Sequence, residues 1–192
     1  MPADQPTILA TSGGAVAADR IRWGVGPLTD LAVDLSGVSG RAPKVCFLGT
    51  ACGDSPALVR DFYDAAQVRG FHGSHLQLFT MPNVEDITAH LLEQDVVWVW
   101  GGSVAGLLAM WRLHGVDEAM RTAWEAGIVL TGVSAGSICW HVGGTTDSFG
   151  PELLYRGTEM VQAYAERDGA GAYLVERDGD RAVETELDVA RL

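Results

Sequence analysis

Short apolar runs, separated by glycine turns and by segments of helical spacing, recur along most of the chain. Residues 96–100 read Val-Val-Trp-Val-Trp, and this nearly continuous apolar run predicts a central parallel strand covered on both faces. Four shorter runs predict further strands, at residues 7–10, 44–48, 75–79 and 128–131. The pattern therefore predicts a sheet whose strands are distributed over the first two thirds of the chain.

Segments with helical spacing lie between these predicted strands. Asp54 or Ser55 is a candidate N-cap for a helix that begins at Pro56 and ends at Gly70. Further helices are predicted at residues 83–94, 104–114 and 117–126, with a helical turn around residues 137–141. The repeated order of strand, turn and helix predicts one α/β domain over residues 1–192, a three-layer sandwich with helices on both faces of a mainly parallel sheet.

The last forty or so residues show a different pattern. The sequence Glu-Arg-Asp-Gly occurs at residues 166–169 and again at residues 176–179. Each copy adjoins segments of alternating polar and apolar residues, at residues 160–165, 172–175 and 181–187. Because Asp-Gly favours tight hairpin turns, this region predicts a C-terminal antiparallel meander.

Composition and charge narrow the function classes. The chain has 25 acidic and 13 basic residues and a formal net charge of −12, which excludes a basic nucleic-acid footprint and argues against an anionic membrane surface as partner. No apolar run approaches the roughly 20 residues that cross a bilayer, and the N-terminus lacks the features of a signal peptide. We expect a cytoplasmic protein with reduced thiols, and no cofactor or metal site, because neither C-x-x-C nor H-E-x-x-H occurs.

Clustered glycines give the first candidate chemistry. Residues 132–136 read Gly-Val-Ser-Ala-Gly, which matches G-x-S-x-G between a predicted strand and a predicted helix. In such a turn Ser134 would project as a nucleophile and the N–H of Ala135 would point at the oxyanion. A second N–H donor could come from Gly101-Gly102, at the end of the neighbouring strand. Alternatively, the glycines only permit close packing of a strand against a helix.

Longer segments resemble peptidase family S51, the peptidase E (aspartyl dipeptidase) and cyanophycinase serine peptidases. Residues 133–140 (VSAGSICW), 144–150 (GTTDSFG) and 98–102 (WVWGG) carry the resemblance. It implies a fold similar to class I glutamine amidotransferases and a Ser-His-acid peptidase acting on small peptides, typically with acidic N-terminal residues. By resemblance Ser134 is the nucleophile, Gly102 and Ala135 supply the oxyanion hole, and Asp147 is an acidic site residue. Asp147 could equally be a turn residue after Thr146.

Two departures from the family pattern bear on activity. The glycine loop reads Gly-Gly-Ser-Val at residues 101–104, where the family usually has Gly-Gly-Asn-Thr. The family's general base is a histidine well downstream of the serine, but of five histidines here only His141 follows Ser134. The resemblance also jumps at Leu153–Leu154, where several tens of residues, including the catalytic histidine, are absent relative to the family.

The sequence therefore supports more than one function. The first is a serine peptidase that is impaired by the missing base, with a small peptide as substrate. The second is a catalytically inactive relative that acts as a binding or regulatory protein. An esterase of the α/β-hydrolase fold shares G-x-S-x-G but also needs a late histidine, and the match at residues 144–147 disfavours it. Because the shortened segment is expected to uncover apolar sheet surface, a homo-oligomer is also expected.

Overall fold

The computed structural model describes residues 3–141, 152–165, 172–178 and 181–191. Within these ranges the strands are β1 (Thr7–Thr11), β2 (Ala15–Val16), β3 (Gly24–Val25), β4 (Lys44–Leu48), β5 (His72–Leu76), β6 (Val96–Val99), β7 (Val129–Val133), β8 (Glu152–Arg156), β9 (Glu159–Ala165), β10 (Ala172–Asp178), β11 (Arg181–Leu187) and β12 (Val189–Arg191). The α-helices are α1 (Pro27–Leu35), α2 (Pro56–Arg69), α3 (Ile87–Leu92), α4 (Val104–His114), α5 (Val116–Glu125) and α6 (Ala135–Ile138).

The centre of the fold is an eight-stranded sheet with the order β12-β9-β8-β1-β7-β6-β4-β5. The last five strands in this order are β1, β7, β6, β4 and β5. They pair in parallel, so their carboxyl ends meet at one edge of the sheet. The strand β8 pairs antiparallel with both β1 and β9, and β12 pairs parallel with β9. The sheet is therefore mostly parallel and mixed, and the α/β prediction is confirmed.

Apolar side chains cover both faces of this sheet. On one face Leu9, Phe47 and Trp98 pack against residues of α1 and α2. On the other face Val97 and Val99 pack against residues of α3, α4, α5 and α6. Because successive residues of a strand point to opposite faces, the apolar run of β6 fills both cores, and all four of its residues are buried. This three-layer packing holds the carboxyl ends of the strands in place.

Some predicted boundaries are wrong. The strand predicted at residues 75–79 lies at His72–Leu76, because that segment pairs with β4, while Leu78 is buried in the loop that follows. The helix predicted at residues 83–94 is shorter and begins at Ile87, because the Asp86 side chain accepts a hydrogen bond from the Ala89 N–H and caps it there. By contrast, α4 has the predicted bounds.

The C-terminal meander is also corrected. The strands β10 and β11 do form an antiparallel hairpin, with Asp178 opposite Arg181. However, β9 lies in the large sheet between β8 and β12, so both of its edges are occupied and it does not pair with β10. A turn at Gly157, whose φ is +58°, joins β8 to β9. The first predicted Asp-Gly turn, at residues 168–169, lies outside the described residues.

The strand β8 runs continuously through the point where the family resemblance jumps. Leu153 and Leu154 are successive residues that face Ala10 and Leu9 of β1. Leu154 is buried beside the α1 and α2 core. The two halves of the resemblance are therefore joined within one strand of the central sheet.

Candidate active site

Ser134 stands where β7 turns into α6, at the carboxyl edge of the sheet. Its φ is +55° and its ψ is −116°, a conformation that residues other than glycine rarely adopt. Such a backbone stores about 1–3 kcal/mol of strain and persists only where the surroundings enforce it. The side chain is exposed, while Ala135 behind it is fully buried. The turn therefore exposes the Ser134 hydroxyl to solvent, while the next residue is held in the core.

Two glycines make this turn possible. A Cβ on Gly132 would lie 2.2 Å from the Gly136 carbonyl oxygen, and a Cβ on Gly136 would lie 2.1 Å from the Val99 carbonyl oxygen. Real Cβ atoms do not approach backbone oxygen so closely, so any side chain here would push β6, β7 and α6 apart. The close packing that the sequence offered as an alternative explanation is therefore present, together with the strained and exposed Ser134.

The end of β1 holds the same turn from its other side. The Thr11 hydroxyl lies 2.9 Å from the Gly132 carbonyl oxygen, to which it can donate. The Ser134 N–H donates to the Thr11 carbonyl oxygen, at 3.4 Å. Thr11 is buried, so water does not compete for these groups. Sequence analysis missed this residue, because it lies far from Ser134 in the chain and belongs to no motif.

The Gly101-Gly102 loop approaches Ser134 through Gly101. A Cβ on Gly101 would lie 3.5 Å from the Ser134 Oγ. Gly102 has a φ of +143°, and a Cβ there would lie 2.2 Å from the Ala51 carbonyl oxygen. Ser103 donates its N–H to that same oxygen at 2.8 Å, while its Oγ accepts from the Gly106 N–H and caps α4. The serine that replaces the family's asparagine therefore serves as a helix cap.

Two backbone amides in this region have no backbone acceptor within the described parts of the chain. Among the described residues, neither the Gly102 N–H nor the Ala135 N–H donates to a backbone carbonyl. Ala135 follows Ser134 in the chain, and Gly102 follows Gly101, which lies beside Ser134. Unpaired amides beside an exposed hydroxyl are the arrangement that can stabilise a negative oxygen.

Asp54, which the sequence offered as a candidate N-cap of α2, has a different role. Asp54 is buried, and its Oδ2 accepts from the N–H groups of Leu78 and Phe79 at 2.7 and 2.9 Å. The N-cap of α2 is Ser55, and no side chain caps that helix. Asp54 therefore joins the loop after β4 to the loop after β5.

The contacts recorded for His75, His90 and His141 are with residues other than Ser134. Within the described parts of the chain, no histidine forms a hydrogen bond with Ser134. The His141 ring packs against Tyr155 with centroids 5.1 Å apart, and burial lowers its pKa. His75 bonds to the Tyr63 hydroxyl at 2.8 Å, and His90 lies 3.6 Å from the Cys46 sulfur. Burial also lowers the pKa of His75 and His90, and each of these three histidines contacts a group other than Ser134.

Comparison with known proteins decides the family. The sequence model of peptidase family S51 matches residues 9–165. The chain belongs to peptidase family S51. Over 139 residues, 72% of its length, this S51 chain is 45% identical to the uncharacterized peptidase YgaJ of Bacillus subtilis strain 168. It spans only 56% of that protein, about half the length of the curated relative it matches.

Solved structures agree on the fold. A protein from Listeria monocytogenes EGD-e described as peptidase E superposes with a TM-score of 0.50 at 15% identity, covering 95% of the S51 chain and 98% of its own. A peptidase from an acI-B1 actinobacterium superposes with a TM-score of 0.51 at 14% identity, covering 70% and 56% respectively. The fold is therefore the class I glutamine amidotransferase-like α/β fold of the peptidase E proteins.

The structure bears on only some of the remaining predictions about the site. Asp147 lies outside the described residues. The described residues contain no group of three or more His, Cys, Asp or Glu side chains that could hold a metal ion. Nor does any helix among them have the length and apolar character needed to span a membrane. Ser134, Ala135 and Gly102 are the predicted site residues of the S51 chain that lie together.

Proposed function

We propose that this chain is a serine peptidase of the cytoplasm that cleaves small peptides, in the manner of a dipeptidase, with Ser134 as nucleophile. The observation that carries the proposal is the exposed Ser134 on a strained turn, directly beside the Gly101-Gly102 loop. A rigid, strained nucleophile turn is typical of hydrolases that form an acyl-enzyme. Membership of family S51 supports the same chemistry.

In this proposal the Ser134 Oγ attacks the carbonyl carbon of the peptide bond, and its proton passes to a base. The carbonyl oxygen becomes an oxyanion, which accepts hydrogen bonds from the Gly102 and Ala135 amides. The amine leaves with a proton, and water then hydrolyses the ester on Ser134. Asp147 is proposed as the acidic residue of the site, following the family resemblance.

The proton acceptor decides how fast this reaction runs. No histidine in the described parts of the chain bonds to Ser134. General acid–base assistance contributes about 10²–10⁴-fold to such reactions. We therefore propose hydrolysis that is slower by about this factor than in a relative with a complete triad. The same observation favours a second candidate, an inactive S51 protein with a binding or regulatory role.

A fluorophosphonate probe and a set of aspartyl dipeptides distinguish the two candidates. Slow labelling at Ser134, lost in Ser134→Ala, together with weak dipeptide hydrolysis, is expected of the impaired peptidase. Absence of both labelling and hydrolysis in the folded protein would establish the inactive candidate. A matched alanyl dipeptide tests the expected preference for an acidic N-terminal residue.

A further inference from the structure

The Gly102 backbone lies against a short 3₁₀ turn, Thr50–Cys52, which follows β4. A Cβ on Gly102 would lie 2.2 Å from the Ala51 carbonyl oxygen and 2.6 Å from its carbonyl carbon. The same oxygen accepts the N–H of the next residue in the glycine loop, Ser103, at 2.8 Å. Gly102 has a φ of +143° at this contact. The position of its N–H therefore depends on where the 3₁₀ turn is held.

Hydrogen bonds within the loop after β4 close this turn on itself. The Cys52 and Asp54 N–H groups both donate to the Gly49 carbonyl oxygen, at 3.0 Å each. Gly53 and Asp54 have φ values of +74° and +51°, and this left-handed pair turns the chain back toward Gly49. Asp54 therefore belongs to the same compact loop that carries the Ala51 carbonyl group.

The Asp54 side chain joins this loop to a segment outside it. Its Oδ2 accepts the Leu78 and Phe79 N–H groups at 2.7 and 2.9 Å, and Leu78 is fully buried. Its Oδ1 is also buried and has no hydrogen-bond partner among the described residues. A buried polar atom without a partner costs stability, and so does a φ of +51° at a residue other than glycine. Backbone outliers of this kind cluster at functional sites, which points to a role beyond loop packing.

We propose that Asp54 is a positioning residue for the oxyanion hole and acts on the Gly102 N–H through the Ala51 carbonyl group. This role rests on the proposed function, in which the Gly102 N–H donates to the oxyanion. With the Asp54 carboxyl group in place, the Ala51 oxygen holds Gly102 and Ser103 where that N–H reaches the oxyanion. Without it, the loop after β4 is released from its neighbour and the Gly102 N–H is displaced.

Timed fluorophosphonate labelling of Ser134 tests this role, because an oxygen of the probe must enter the oxyanion hole as phosphorus is attacked. In Asp54→Ala we expect the maximal labelling rate to fall by about tenfold or more, since loss of one oxyanion donor costs about 10²–10³-fold. The probe concentration that gives half of this rate should not change. Asp54→Asn should recover most of the rate, because its side-chain oxygen can accept both N–H groups. An unchanged maximal rate in folded Asp54→Ala would refute the positioning role.

Asp95→Ala is the matched control. Asp95 is also a buried acidic residue that accepts a backbone N–H, that of Lys44 at 2.8 Å, and it pairs in addition with Arg41. It precedes β6, at the opposite edge of the sheet from Ser134. The Asp95 variant should lose stability and keep its labelling rate. Equal slowing in the two alanine variants would mean that Asp54 acts only on the fold.

A glycine variant covers the case in which Asp54→Ala does not fold. Asp54→Gly removes the same carboxyl group and relieves the backbone strain, because glycine adopts positive φ freely. It should show the same slowing as the alanine variant. A glycine variant that labels at the parent rate would contradict the positioning role as directly as an alanine variant would.

Amide hydrogen exchange tests the same role without any reaction at Ser134. The Ser103 N–H is bonded to Ala51, so in Asp54→Ala or Asp54→Gly it should exchange about tenfold faster or more, relative to the amides of β6 that report global opening. Asp95→Ala should leave this ratio unchanged. A parent chain that is not labelled would contradict the proposed peptidase function alone. An unchanged exchange ratio at Ser103 would overturn the positioning role, whatever the labelling shows.

Discussion

The Thr11 hydroxyl lies 2.9 Å from the Gly132 carbonyl oxygen, across the boundary between β1 and β7. The same residue accepts the Ser134 N–H through its own carbonyl oxygen. One threonine therefore contacts the nucleophile turn on both sides of Val133. Because Ser134 has a strained backbone, a contact of this kind is needed to keep the turn from relaxing.

Thr11→Val should weaken the contact between residue 11 and the nucleophile turn while preserving the shape of the side chain. The change removes a buried hydroxyl that lies 2.9 Å from the carbonyl oxygens of both Gly132 and Gly13, and the loss of such a hydrogen bond costs about 0.5–1.5 kcal/mol of unfolding free energy. We further expect fluorophosphonate labelling of Ser134 to slow by about tenfold or more, since small misplacements of a nucleophile have large effects on rate. Urea unfolding and timed labelling measure the two effects.

Thr131→Val is the matched control for this prediction. Thr131 also donates its hydroxyl across the same pair of strands, to the Leu9 carbonyl oxygen at 2.7 Å, but further from Ser134. It should lose similar stability and keep its labelling rate, and Thr11→Ser should restore both properties. Equal slowing in both valine variants would show that Thr11 acts only on stability. If the parent chain labels too slowly, alkylation of Ser134→Cys in a Cys52→Ser background reports on the same geometry.

Ser134→Gly should stabilise the protein. Glycine adopts a φ of +55° without the steric penalty that serine carries, so the expected gain is about 1 kcal/mol in unfolding free energy. Ser134→Ala keeps the penalty and should be close to the parent chain in stability. The two variants differ only by one methyl group on an exposed residue, and both lack the hydroxyl. A glycine variant no more stable than the alanine variant would mean that the turn is not strained.

The nucleophile turn could be predicted from the sequence because its requirements are local. Gly132, Ser134 and Gly136 lie within five residues, and the predicted strand and helix on either side supplied their context. The position of Gly102 beside Ser134 followed from the parallel arrangement, since the carboxyl ends of neighbouring strands meet at one edge. Short-range pattern and sheet topology were sufficient for these residues.

Thr11 and Asp54 could not be predicted in the same way. Both act on backbone atoms of distant segments: Thr11 on Gly132, and Asp54 on Leu78 and Phe79. Backbone groups carry no side-chain signature, so no motif marks such contacts. The position of β5 was misjudged for a related reason. Residues 75–79 alternate in polarity, but pairing with β4 selects His72–Leu76, and Asp54 holds the following residues in a loop.

Gly136→Ala should be among the most damaging single changes in the chain. Its added methyl group would lie 2.1 Å from the Val99 carbonyl oxygen, which belongs to the central strand and cannot move alone. We expect a loss of about 4 kcal/mol or more, the upper range for point substitutions. Gly40→Ala is the contrasting variant: Gly40 has a positive φ of +75°, which Gly136 lacks, but it has open space around it, so its substitution adds backbone strain without a clash. It should lose only about 1–2 kcal/mol in chemical unfolding.

Stability should also fall as the solution becomes mildly acidic. Burial is the largest influence on the pKa of His75, His90 and His141, and in each the pKa is lowered in the folded protein. The folded chain therefore binds fewer protons than the unfolded chain once the pH drops below about 6.5, the ordinary histidine value. Their contribution is present above that pH and is lost as the pH falls through the lowered pKa values.

The carboxyl group of Asp95 also affects stability, but at a lower pH than the histidines. Burial alone would raise the pKa of Asp95, but its hydrogen bonds to the Arg41 guanidinium and the Lys44 N–H outweigh burial and lower it. Its contribution is therefore lost only below the ordinary aspartate value, about 3.9. Urea midpoints between pH 7.5 and 5.5 should decline because of the histidines. His141→Gln should flatten that decline, whereas the exposed His72→Gln serves as control; equal slopes in both variants would exclude His141 as a contributor.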